Sequence, residues 1–358
     1  MSWLLAFVGF AILVILHELG HFTVAKLVGM RVEKFSLFFP PTLASKKVGE
    51  TEYAIGAIPA GGYVKISGMN PDEELPEEVR DRAYHAQPVW KRIAVIVAGP
   101  AVNLVLALLL LFVFFAAIGP ETRTDRIGTI EKGYPAAEVL KPGDRLVSVD
   151  NIVGEPVRLS DQIDTHRCRG EQTDGCRASS SAAVVVEREG RLQAFRMTPV
   201  YDEATERSRI GFGFAAGPRD PLGVGESVEV ALDRFWFITK ATLSLPARIF
   251  DAEQRKEISG IVGSYEVTRQ TILNDIAEVV LIMALVSLSL AIVNLFPFLP
   301  LDGGHIFWAI VEKVRGRPVP LSVMERSGVV GFMLVIGLFL IGLTNDIGRL
   351  TGEGFTPP

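Results

Sequence analysis

Two cysteines in 358 residues, Cys168 and Cys176, leave no disulfide framework and no thiolate knuckle for a metal. An excess of positive charge is missing as well. The net charge is −5 and the pI about 5.7, which provides no basic footprint for nucleic acid. The chain also lacks a basic stretch before its first apolar run and an Ala-x-Ala cleavage signal after it, so the run reads as a retained helix rather than a signal peptide. What is abundant is apolar sequence, 49% of residues with a mean hydropathy of +0.32. Soluble proteins are already close to half apolar, so distribution carries more weight than the percentage.

The apolar residues are gathered into four runs long enough to cross a hydrocarbon core of roughly 30 Å, at about 3–28, 93–118, 277–299 and 329–343. Lys26, Arg31 and Lys34 follow the first run, Lys91 and Arg92 precede the second, and Lys313, Arg315, Arg317 and Arg326 lie between the last two. The positive-inside rule then puts 29–92 and 300–328 in the cytoplasm, with both termini and 119–276 outside. Cys168 and Cys176 could pair as a disulfide in that outer compartment, or stand as two surface thiols. Short apolar segments broken by Gly, Pro and Asp predict a small β-rich domain over 127–200, with a hairpin around Glu189-Gly190. The stretch 224–250 reads as an amphipathic helix whose Phe235, Trp236 and Phe237 face either a membrane surface or the protein. In the inner loop, "TEYAIGAIPAGGYVKISG" alternates around Pro59, Gly61 and Gly62 as a β-hairpin would.

Ionisable side chains interrupt the first run. In "VILHELGHFTVAK", His17 and His21 stand at i and i+4 on one helix face and can share one ion, and two neutral imidazoles suit Zn²⁺. Glu18 sits beside them, placed to take a proton from a zinc-acidified water. Ionisable groups at that depth are costly and point to function, against the blander alternative of side chains snorkelling from a helix end. A third ligand has to come from elsewhere. "NLFPFLPLDGGH" offers Asp302, with His305 as a rival, and Pro297 and Pro300 free the backbone there. Asp302-Gly303 could also be a simple helix-capping turn. Asn294 could bond a neighbouring helix, hold a substrate backbone, or stabilise an oxyanion.

These residues resemble the site-2 protease family of intramembrane zinc metallopeptidases, in its RseP-like bacterial branch. The likeness rests on His17-Glu18-Leu19-Gly20-His21, Asn294-Leu-Phe-Pro297 and Leu301-Asp302-Gly303-Gly304, with "AGPAVN" at the second span and "GGYVKISGM" in the inner loop. "GYPAAEVLKPGDRLVSVDN" resembles a PDZ domain. The resemblance implies an α-helical polytopic membrane protein with four transmembrane helices and an inserted β-rich PDZ-like extracytoplasmic domain. Its parts would be 1–118 (helices 1 and 2 with the hairpin at about 50–68), 119–210 (PDZ-like), 211–276 (juxtamembrane) and 277–358 (helices 3 and 4). It further implies one zinc held by His17, His21 and Asp302, Glu18 as catalytic base, and Asn294 assisting with substrate. Gly62, Tyr63, Val64 and Lys65 would pair with an unwound substrate by strand addition. Expected partners are single-pass membrane proteins such as anti-sigma factors or signal-peptide remnants, the lipid bilayer, and a peptide ligand of the PDZ-like domain. The location implied is the bacterial inner membrane. Two departures stand out: there is room for one PDZ-like domain where tandem pairs occur in enterobacterial relatives, and Pro300 falls one place later than the commoner spacing. A PDZ-bearing adaptor with a vestigial metal site, or a metal transporter, are the rival classes.

Overall fold

The computed structural model describes residues 2–70, 73–203, 205–249, 251, 254–255, 260–274 and 277–351. The chain divides into two compact units, 1–117 with 222–358, and 118–221.

In the first unit, α1 (Ser2–Leu27) is apolar nearly all round. It stops at Gly29, whose φ of +85° only glycine adopts without strain. Gly29 N–H donates to Lys26 O and Met30 N–H to Ala25 O, the paired bonds that close a helix end of this kind. The chain then forms β1 (Val32–Val48) and β2 (Thr51–Ile66), both folding back on themselves. Residues 34–37 are flanked by 52–55 on one side and 62–65 on the other, while 42–48 pairs with 51–56. Gly62–Ile66 is therefore an outer ribbon, and among the described residues no strand pairs with its far side.

Helix α2 (Val89–Val113) continues through a π-turn at Phe114–Ile118. It meets α1 through small residues. A Cβ on Gly20 would stand 2.6 Å from Ala98 O, so the two backbones approach more closely than any larger residue permits. Helix α3 (Val224–Leu243) turns Phe235 and Ile238 onto Ala107, Leu288 and Ile292, and leaves Trp236 and Phe237 exposed. Of the aromatic triplet, Phe235 packs against the protein, and Trp236 and Phe237 do not. Helix α4 (Ile261–Asn274) precedes α5 (Glu278–Asn294), which runs into the irregular segment 295–301. Helices α6 (Asp302–Arg315) and α7 (Leu321–Thr351) complete the unit.

Among the described residues, three helices are long and apolar enough to cross a membrane: Phe7–Leu27, Val89–Ile118 and Ser322–Thr351. The last extends well beyond the apolar run that marks it in the sequence. Glu278–Asn294, with 17 residues, spans about 25 Å and is shorter than a hydrocarbon core. It ends early because Pro297 and Pro300 cannot continue an α-helical ladder.

In the second unit, a five-stranded antiparallel sheet has the order β6-β5-β4-β3-β9, with β3 at Glu121–Ile130, β4 at Arg145–Val149, β5 at Ala182–Arg188, β6 at Arg191–Met197 and β9 at Phe212–Arg219. Strands β7 (Val200–Asp202) and β8 (Arg207–Arg209) form a separate pair. Ala182, Val184 and Val186 alternate inward and join Ile127, Leu146, Val149 and the helix residues Leu159 and Ile163 in one core. The hairpin turns at Glu189 (φ +53°) and Gly190 (φ +75°), two left-handed residues that match strand twist. Arg188 clamps the buried Asp144 with two bonds of 2.6 and 2.7 Å, holding that carboxyl below its ordinary pKa. Cys168 and Cys176 are joined in a disulfide.

Candidate metal centre and cavity

Three side chains from two distant parts of the chain converge within the first unit. Asp302 Oδ2 lies 3.2 Å from His17 Nε2 and 3.3 Å from His21 Nε2, and the two Nε2 atoms are 3.3 Å apart. A tetrahedral ion with bonds of about 2.0–2.1 Å separates its ligand atoms by about 3.3–3.4 Å, so this triangle has the edge lengths of a zinc site. Oδ2 is buried, yet no hydrogen bond of acceptable geometry reaches it from either imidazole. The three ligand atoms lie mutually close around one focus, and the donor set fits the ion.

Each ligand is fixed from behind. His21 Nδ1 bonds the Val95 carbonyl at 2.8 Å, which leaves Nε2 with the free lone pair. Gly99 makes room for that ring, because a Cβ there would stand 2.2 Å from His21 Nε2. His17 Nδ1 faces the side chain of Asn103 at 3.4 Å. Asp302 opens α6, and Gly303 and Gly304 let the helix start tuck under 295–301: Cβ atoms on them would meet Leu295 O at 2.2 Å and Leu299 N at 2.4 Å. Further along α6, Glu312 takes two bonds from the largely buried Arg92 of α2, at 2.5 and 3.0 Å. That pair ties the helix carrying Asp302 to the helix supporting His21.

The triangle opens on a cavity of about 400 Å³. Glu18 and Asn294 line it, as do Gly62, Tyr63 and Val64 of the outer ribbon. Glu18 packs directly beneath that ribbon, with Cγ 3.0 Å from where a Gly62 Cβ would sit. His305 also lines the cavity but stands outside the triangle. Lys65 is not brought in: its ammonium pairs with Glu33 at 2.7 Å and Glu73 at 3.1 Å, and those carboxylates raise its pKa. The stretch "AGPAVN" contains Gly99 and Asn103, whose contacts to His21 and His17 no local pattern announces, and Val95 lies just before it.

The model of peptidase family M50 matches residues 5–338. The chain belongs to peptidase family M50. Members of the family are zinc-dependent peptidases embedded in membranes, and this chain is a zinc metalloprotease. It is 32% identical over 361 residues to a Brucella suis protein bearing the name of a zinc metalloprotease, covering 94% of this chain and 92% of that one. It is 31% identical over 397 residues to the zinc metalloprotease Rip1 of Mycobacterium tuberculosis, covering 93% and 94%. A Nostoc relative, also named as a zinc metalloprotease, is 29% identical over 364 residues and covers 99% and 98%.

Proposed function

We propose that the protein cleaves single-pass membrane proteins within or next to their spanning helix, with His17, His21 and Asp302 as the zinc ligands. One observation carries this reading: the ligand triangle, Glu18 and a β-ribbon whose outer edge pairs with no strand among the described residues all line one cavity beside apolar helices. Bound there, zinc supplies Lewis acidity to a water and to the scissile carbonyl. Glu18 accepts the proton of the attacking water and then delivers it to the departing amine. Asn294, at the end of α5, offers an amide to the substrate backbone or to the developing oxyanion. The far edge of Gly62–Val64 pairs with an extended substrate, adding backbone hydrogen bonds with little demand on sequence. A helical substrate must unwind first, because its peptide groups are already bonded to one another.

In this reading α1, α2, α5 and α7 cross the bilayer, with α5 accommodated by local thinning or by its flanking segments. Basic residues put the site toward the cytoplasm of the bacterial inner membrane, and both termini in the periplasm. Residues 119–210 form a PDZ-like periplasmic domain able to take a peptide ligand, and 211–276 form a juxtamembrane region. Anti-sigma factors already trimmed outside, and signal-peptide remnants, are the substrate classes that fit. The test uses the full chain in proteoliposomes with a model single-pass substrate. The Glu18→Gln protein retains zinc and leaves the substrate intact; cleavage at the normal rate by that variant overturns the assignment.

A further inference from the structure

Asn103 is fully buried in α2, and its backbone carbonyl is held by Ser287 Oγ of α5 at 2.9 Å. Among the described residues its side chain has one hydrogen-bond contact, with His17 Nδ1, which stands 3.4 Å from Nδ2. The amide oxygen Oδ1 is buried without a partner. An orphaned acceptor beside a metal-ligand imidazole is a costly arrangement unless another state uses it.

The place of the proton on His17 decides which of the two amide atoms should face it. Without a metal, a neutral His17 can carry its proton on Nε2, and its Nδ1 lone pair then accepts from the Asn103 amide. A bound cation requires the Nε2 lone pair, so the single ring proton must move to Nδ1. That N–H then needs an acceptor, and a half-turn of the Asn103 carboxamide puts Oδ1 where Nδ2 stood. A carboxamide can serve both tautomers from one place, as a donor through Nδ2 and an acceptor through Oδ1.

We propose that Asn103 is a positioning residue for His17, its carboxamide turning on zinc loading so that Oδ1 holds the proton on Nδ1 and Nε2 faces the ion. This rests on the reading of His17, His21 and Asp302 as ligands. Asn103 touches neither substrate nor the reacting atoms. It acts by making the metal-competent tautomer the favoured one and by fixing the ring plane, as the Val95 carbonyl does for His21.

The test measures Zn²⁺ affinity of the full detergent-solubilised chain against a competing chelator, for wild type and for Asn103→Leu, Asn103→Asp and Asp302→Ala. Asn103→Leu keeps the volume and removes both hydrogen-bonding roles, and affinity falls about 10- to 100-fold. Asn103→Asp keeps an acceptor, and binds Zn²⁺ at least as tightly as wild type. A purely structural Asn103 predicts the opposite ranking, since a buried carboxylate disturbs packing more than leucine does. Nitrogen-15 labelling of the histidines gives an independent readout on wild type alone: with Zn²⁺ bound, His17 carries its proton on Nδ1. Affinity of Asn103→Leu within twofold of wild type, or a His17 proton on Nε2 in the zinc-loaded chain, overturns the proposal. Unchanged affinity in Asp302→Ala overturns instead the ligand reading beneath it.

Discussion

Replacing Gly99 by alanine probes how tightly the metal centre is built. The added Cβ would sit 2.2 Å from His21 Nε2, 2.6 Å from Cε1 and 2.8 Å from Cδ2. Ordinary contact begins near 3.4 Å, so the ring must retreat by about 1.2 Å. Zinc ligand distances are sustained only within about 0.2 Å, so a shift of that size removes His21 from the ligand set. Its Nδ1 bond to Val95 O would also be lost. Displacing a ligand should weaken zinc by at least about 100-fold, or roughly 2.8 kcal/mol. Helix propensity pulls the other way: alanine in a helix interior is favoured over glycine by about 1 kcal/mol. Overpacking the buried ring and losing its hydrogen bond cost about 1–3 kcal/mol and outweigh that gain, so the metal-free chain should lose no more than about 2 kcal/mol, while Zn²⁺ affinity and proteolysis collapse together. Chelator competition and thermal unfolding of the metal-free chain measure the two effects separately. Wild-type zinc affinity in Gly99→Ala would refute the packing argument.

Three further outcomes follow from the same geometry. Arg92→Leu strips Glu312 of its partner and should destabilise the chain by about 3 kcal/mol, partly relieved in the Arg92→Leu/Glu312→Leu double variant; single-variant losses below about 0.5 kcal/mol in denaturant titrations would remove the clamp from the account. Gly62→Ala places a Cβ 3.0 Å from Glu18 Cγ and 2.9 Å from Ser36 O, so kcat should drop about tenfold while zinc affinity holds; a parallel loss of zinc would mean that the ribbon supports the ligands rather than the base. Glu50 is held down to about 2 from 4.5, first by its hydrogen bonds from Arg82 and then by Lys26. A depressed carboxylate contributes stability above its unfolded pKa and loses it as pH falls through the folded one. Between about pH 4.5 and 2 this pair of contacts should lose about 1 kcal/mol after allowance for solvent screening, and Glu50→Gln should flatten that slope in acid titrations.

Much of the centre could be read from the chain because its determinants are local or chemically rare. His17 and His21 share a face through helix periodicity alone, Glu18 stands out as a carboxylate inside an apolar run, and Asp302 is marked by the Pro- and Gly-rich segment that follows the third run. The hairpin at Glu189-Gly190 follows from the two left-handed positions that such a turn demands. Other features depend on helix-to-helix register, which no local pattern encodes. Asn103 meets His17 across 86 residues, and Gly99 clears space for His21 only because α1 and α2 cross where Gly20 faces Ala98. Lys65 shows the limit of a motif: it follows the ribbon residues in sequence, but its long side chain reaches Glu33 and Glu73 instead of the cavity. Helix α5 is shorter than its apolar run because prolines at 297 and 300 end the ladder before the hydrophobicity ends.

The most direct measurement is X-ray absorption at the zinc edge of the purified, zinc-loaded full chain, wild type beside Asp302→Ala. Two imidazoles and at least one further oxygen donor at about 2.0–2.1 Å, with that set degraded in the variant, is the predicted result. A third imidazole in place of the carboxylate, or a wild-type spectrum from Asp302→Ala, would contradict the convergence of α1 and α6 on a single ion.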